Sequence, residues 1–127
     1  MRELLKNDKF RNAIHCLASY KWHPLPRAQL AILWAGIEGL FDTESEITFR
    51  LSLYISNFLL SDKNEKEEKF IQIKKLYNYR SAAVHGSRIK ENQKNVVNDS
   101  AFLLREIVIK CIDDNTLPDK NILLFSN

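Results

Sequence analysis

The stretch PRAQLAILWAGIEGLF, residues 26–41, decides the fold. Its apolar side chains (Leu30, Ala31, Ile32, Leu33, Trp34, Ala35, Ile37, Leu40) leave almost no polar face. A helix that is hydrophobic nearly all round must be covered by neighbours on most sides. The sequence therefore predicts a central helix from about Pro26 to Phe41, with other helices packed around it. One acidic residue, Glu38, interrupts the run. A buried charge without a partner is costly, so Glu38 requires one from another element.

The flanking sequence supplies the cover. Upstream, Leu4, Leu5, Phe10, Ala13, Ile14, Leu17, Ala18 and Tyr20 recur at three- and four-residue steps, predicting one helix from about Glu3 to Trp22. His23-Pro24-Leu25-Pro26 ends it, because proline lacks the amide donor and restricts the residue before it. Downstream, Thr43 with Glu46 fits a capping box and predicts the start of a third helix. Ile47, Leu51, Tyr54, Ile55, Phe58 and Leu59 give that helix its stripe. After the polar break Ser61-Asp62-Lys63-Asn64, a fourth helix is expected from about Glu65 towards Val84, with Gly86 as its left-handed stop. The polar stretch from Ser87 to Lys94 leads to a fifth, from about Asn95 to Asp113, with Val97, Ala101, Leu104, Ile107, Val108 and Cys111 inward. Thr116-Leu117-Pro118 closes it. The apolar tail Ile122 to Phe125 either docks back or serves a longer contact.

No strand alternation and no internal repeat is visible. The expected fold is all-α, a compact antiparallel bundle of about five helices over residues 1–115, followed by a tail at 116–127. At 127 residues, 45% hydrophobic, with three Gly and three Pro, the chain excludes collagen-like and disordered classes. A chain of this length buries roughly two-thirds of its unfolded surface and needs no staples. Cys16 and Cys111 stand far apart, with no metal-ligand spacing, and are read as buried reduced thiols. MRELLKNDKF lacks the apolar run of a signal peptide, and no stretch approaches ~20 uninterrupted apolar residues, so a cytoplasmic protein without membrane contact is expected. The net charge of +3 permits a nucleic-acid partner without demanding one. Phosphate loops, nucleophile elbows and HExxH are absent, so no metal or cofactor is expected.

The segment carrying chemistry is LYNYRSAAVHG, Leu76 to Gly86. Arg80 and His85 stand five apart, and a five-residue step turns a helix by about 140°, which puts them on different faces. They converge only where the helix ends near Val84, or where a second copy of the chain completes the site. Several plain roles compete on spacing alone. His85 fits a helix C-cap, Arg80 an ion pair with Glu38, and Tyr77 a packing residue. Arg88 and Lys90 fit a solvated loop. His15 is expected to pack, and His23 lies in a loop.

In combination, aliphatic-Tyr-x-x-Arg-Ser, Val-His-Gly and the upstream Trp34-x-x-x-Glu38 resemble the HEPN superfamily, specifically its Apea-like branch. The resemblance runs from the first helix to about Asp113. It implies a two-fold homodimer whose Arg80 and His85 form the catalytic pair of an endoribonuclease, with Glu38 facing the motif and Tyr77 and Ser81 in support. Many HEPN proteins carry Asn, Asp or His where this chain has Ser81, and serine lacks that chemistry. Arg88 and Lys90 would guide RNA phosphates. The family implies an RNA substrate, a toxin or anti-phage defence role, and an antitoxin or larger defence-system partner. The chemistry suits a metal-independent reaction: histidine serves as a base near neutral pH, and a guanidinium meets the charge developing on phosphorus. The alternatives are a non-catalytic module that binds RNA, a nucleotide or a partner, and a dimerisation scaffold.

Overall fold

In the computed structural model, residues 2–85 and 93–124 are described, and among these every regular element is helical. The elements are α1 (Arg2–Lys6), α2 (Asp8–Ser19), a 3-10 turn (Tyr20–Trp22), α3 (Pro26–Phe41), α4 (Ile47–Leu59), α5 (Lys63–Val84), α6 (Gln93–Asp114) and α7 (Lys120–Leu124). Five of them are long. Two short additions, α1 and α7, come from the ends of the chain.

The expected first helix is broken at Asn7. Its side-chain oxygen accepts from the Phe10 amide at 3.1 Å, capping α2, while its own amide bonds back to Leu4 O at 3.0 Å. A short amide side chain competes for backbone donors, which favours caps over helix interiors. The break re-phases the apolar stripe. Leu4, Phe10, Ala13, Cys16 and Tyr20 are buried, while Leu5, Ile14 and Ala18 stay exposed. His15, expected to pack, is exposed too. The 3-10 turn leaves Trp22 79% exposed.

Helix α3 packs against α2, α4, α5 and α6. Leu30, Leu33, Trp34 and Ile37 are wholly buried. The approach is close at Gly36, where an added Cβ would sit 3.1 Å from Cys16 Cβ on α2 and 3.3 Å from Leu104 Cδ2 on α6. Glycine here lets three helices meet.

The capping box expected at Thr43 and Glu46 does not form. Helix α4 begins at Ile47, and its N-cap is Glu46 itself, in the left-handed region at φ 49° with no side-chain cap. Asp42 is also left-handed, at φ 51°, so two such residues bracket the loop and turn Thr43 away from the helix start. The Thr43 hydroxyl is buried with no hydrogen-bond partner among the described residues, and the Glu46 carboxylate lies 3.9 Å from Arg50 one turn ahead. By contrast, Asp62 caps α5 as an N-cap should, accepting from Glu65 N at 3.0 Å. Helix α5 therefore starts at Lys63, two residues before the expected position, and α6 starts at Gln93.

All six residues expected inward on α6 are buried, and both cysteines are free and buried. The tail turns back through α7, where Leu123 is buried and its carbonyl accepts from Asn57 Nδ2 on α4 at 2.7 Å. Gly86, Arg88, Lys90 and Phe125 lie outside the described residues. Among those described, no helix is long and apolar enough to cross a membrane.

Candidate functional site

The site is built where α3, α5 and α6 meet. Trp34 is wholly buried there, and its indole N–H donates to the equally buried Ser100 hydroxyl on α6 at 3.0 Å. That bond fixes the indole plane. The Tyr77 ring of α5 stands edge-on to it, with centroids 5.4 Å apart and planes at 82°, the edge-to-face arrangement that aromatic quadrupoles favour. Tyr77 is thereby a core residue rather than an open stacking platform.

From this base the polar groups follow in order. The Tyr77 hydroxyl donates to Glu38 Oε1 at 3.0 Å, and Glu38 Oε2 lies 4.0 Å from Arg80 Nη2. The Arg80 guanidinium sits 5.3 Å above the Tyr77 ring centroid, within cation–π range. The half-buried acid of α3 thus has two partners, and the phenol is the nearer one. At 4.0 Å the guanidinium is beyond hydrogen-bond reach and contributes charge only. Arg80 Nε is buried and, among the described residues, has no hydrogen bond. Ring and carboxylate therefore hold the guanidinium in place, and among the described residues no hydrogen bond engages its donors.

Burial pushes the Tyr77 phenol above its ordinary 10.0, and the adjacent Glu38 charge and hydrogen bond push it further; Arg80 and the Ser81 hydroxyl pull the other way. Tyr77 is held as a neutral donor, which suits a residue that orients a carboxylate.

His85 is the residue at which α5 stops. It sits at φ −83°, ψ 6°, and its amide bonds to Ser81 O at 3.1 Å. The backbone does the capping, and the imidazole is exposed. Among the described residues, no hydrogen bond or ion pair joins His85 to Arg80, Tyr77 or Glu38. Within one chain the structure thus brings together Glu38, Tyr77, Ser81 and Arg80, and leaves His85 at the adjoining helix end. The thiols offer no nucleophile here, since burial raises Cys16 and pushes Cys111 to about 12.

Ser100 is the member that sequence reasoning missed. The available signal was a hydroxyl on the buried stripe of α6, three residues after Val97 and four before Leu104, where a polar group needs a partner. Comparison with protein-family models, with curated proteins and with solved structures finds no match to this chain.

Proposed function

We propose that the chain is a HEPN-type, metal-independent endoribonuclease acting in the cytoplasm as a two-fold homodimer. The observation that carries this reading is the under-used Arg80 guanidinium. It is positioned by Tyr77 of its own helix α5 and by Glu38 of α3, with a histidine at the first residue beyond α5. A guanidinium with free N–H groups is a ready receptor for a phosphodiester, and its planar fork suits two oxygens at once.

In the proposed reaction a ribose 2′-oxygen attacks its own phosphorus while His85 takes the hydroxyl proton. Arg80 offsets the charge developing on the non-bridging oxygens. The P–O5′ bond breaks, and the leaving oxygen takes a proton from a second acid. His85 of the other protomer can supply it when a two-fold axis brings both motifs to one cleft. The products are a 2′,3′-cyclic phosphate and a 5′-hydroxyl, and DNA is spared. Such an activity fits an effector of the toxin or anti-phage type, restrained by an antitoxin or a larger defence-system partner.

The competing reading is a non-catalytic module binding RNA, a nucleotide or a partner. It is favoured by Ser81, which supplies no acid, and by the separation of Arg80 from His85 within one chain. Purified chain and His85→Ala, incubated with tRNA and messenger-like RNA in EDTA, separate the two. Cleavage that survives chelation, ends in cyclic phosphates and disappears in the variant supports the nuclease. RNA bound and returned intact by a dimer supports the module.

A further inference from the structure

The solvent face of α5 carries a charge pattern with an internal symmetry. Glu67 and Glu68 precede Ile71 by four and three residues, and Lys74 and Lys75 follow it by three and four. Positions three and four apart share a helix face, so these five side chains form one stripe. All five are exposed, Ile71 at 66%. Among the described residues, no salt bridge within the chain engages Glu67, Glu68 or Lys74, whereas Lys69 is held by Glu106. Lys75 leans over the Tyr79 ring at 5.9 Å.

Beside the stripe, between α4 and α5, runs an apolar groove of about 380 Å³ lined by Leu53, Ser56, Glu67, Phe70 and Ile71, among others. Phe49 of α4 stands edge-on to Phe70, with centroids 5.7 Å apart, and is itself 53% exposed. Large apolar side chains left in water beside a groove, with charges around them, mark an interaction surface. The charges select its occupant. An acidic helix would meet Glu67 and Glu68, a basic one would meet Lys74 and Lys75, and a parallel copy of α5 would set like against like. An antiparallel copy centred on Ile71 matches both halves, with Glu68 facing Lys74 of the second copy and Glu67 facing Lys75, each pair formed twice.

We propose that the α4–α5 face is a self-association surface, a two-fold contact centred on Ile71 in which each copy's Ile71 enters the groove of the other. In an isologous interface residue i meets j and j meets i, so a stripe whose sign inverts about its centre is what the contact requires. This surface is distinct from the dimer of the nuclease reading and does not rest on it. Thirteen residues of α5 follow Ile71. They span roughly 20 Å, so antiparallel α5 helices hold the two His85 residues roughly 40 Å apart. The contact joins chains without joining their motifs. A chain that makes both contacts builds a tetramer or an open string.

The experiment is sedimentation velocity over a concentration series, with Glu68→Lys, Lys74→Glu and an equimolar mixture of the two. Lys74 has no charged residue three or four positions away and Glu68 has only Glu65, so neither reversal breaks an ion pair within the helix. Each variant alone should associate about ten-fold or more weakly than the parent, because it sets like charges together twice per contact. The mixture should recover to within about three-fold of the parent, since each chain supplies the sign that the other lacks. Under mild oxidation Ile71→Cys should form a covalent dimer, because a residue on a two-fold axis meets its own copy, and adding Glu68→Lys should suppress it. Both native thiols are buried, and the wild-type chain gives their background. A parent that stays monomeric at about 100 μM overturns the proposal. So does a dimer that neither reversal weakens and that Ile71→Cys does not cross-link. Weakening in both variants without recovery in the mixture overturns the antiparallel pairing and gives the face to another occupant. None of these readings uses RNA, so failure of the nuclease and failure of this contact are scored separately.

Discussion

Tyr77 does three jobs with one side chain. Its edge meets Trp34, its face carries Arg80, and its hydroxyl holds Glu38. The last contact has a measurable consequence in base. An unfolded tyrosine ionises near 10, whereas Tyr77 in the folded chain holds its proton to higher pH because burial and the Glu38 charge oppose a phenolate. The sign is that of a raised acid: its contribution to stability is intact below about pH 10 and is lost as pH climbs through the folded value. In an alkaline difference titration near 295 nm, one of the four tyrosines should ionise late. Tyr77→Phe should delete that late step. A Tyr77→Phe spectrum in which the late step persists would assign it to another ring. Part of this constellation was legible beforehand. An acid inside an apolar helix demands a partner, and the motif offers Arg80. The distances are what sequence could not supply. They place the phenol nearer than the guanidinium, because the indole anchored on Ser100 sets where the Tyr77 ring lies.

At the scale of elements, the successes and failures of sequence reading have one physical source. Buried stripes on α3 and α6 were visible because their periodicity is long and every member counts. Helix starts depend on the backbone angles of one or two residues, and those are not written in the pattern. Asn7 and Asp62 cap as their residue types favour, although the first was hidden inside an apparently continuous stripe. Thr43 has an equally good capping sequence and does not cap, because left-handed Asp42 and Glu46 redirect the loop. The contrast can be measured by urea unfolding. Asn7→Ala should cost about 1 kcal/mol, the usual worth of an N-cap. Thr43→Val, which replaces a buried hydroxyl lacking any partner among the described residues with a methyl of similar shape, should be neutral or stabilise by up to about 1 kcal/mol. A loss of that size at Thr43 would instead restore the capping box.

For the whole molecule, one hydrophobic core joins α2, α3 and α6 and holds both thiols, Cys16 beside Gly36 and Cys111 farther along α6. Desolvation, with a smaller contribution from Asp114, moves Cys111 from 9.0 to about 12. A thiol held neutral in the fold and ionised in the unfolded chain contributes fully below pH 9 and loses that contribution between about 9 and 12. The urea midpoint should therefore fall across that window, and less steeply in Cys111→Ala. Thiol-specific reagents should modify Cys111 only as fast as the bundle opens, so its modification rate should rise with urea in step with unfolding. Rapid labelling in native buffer would place Cys111 outside the core.

The two tryptophans differ in a way that turns the site into its own reporter. Trp34 is wholly enclosed, donates to Ser100 and abuts Tyr77, whereas Trp22 is 79% exposed. In Trp22→Phe the remaining indole should emit at the blue end of the range and resist collisional quenchers. Its emission intensity becomes an optical readout of the ring beneath Arg80. An anion captured by that guanidinium would then be detected as a change of quantum yield in unlabelled protein, whether or not any bond in the ligand is broken.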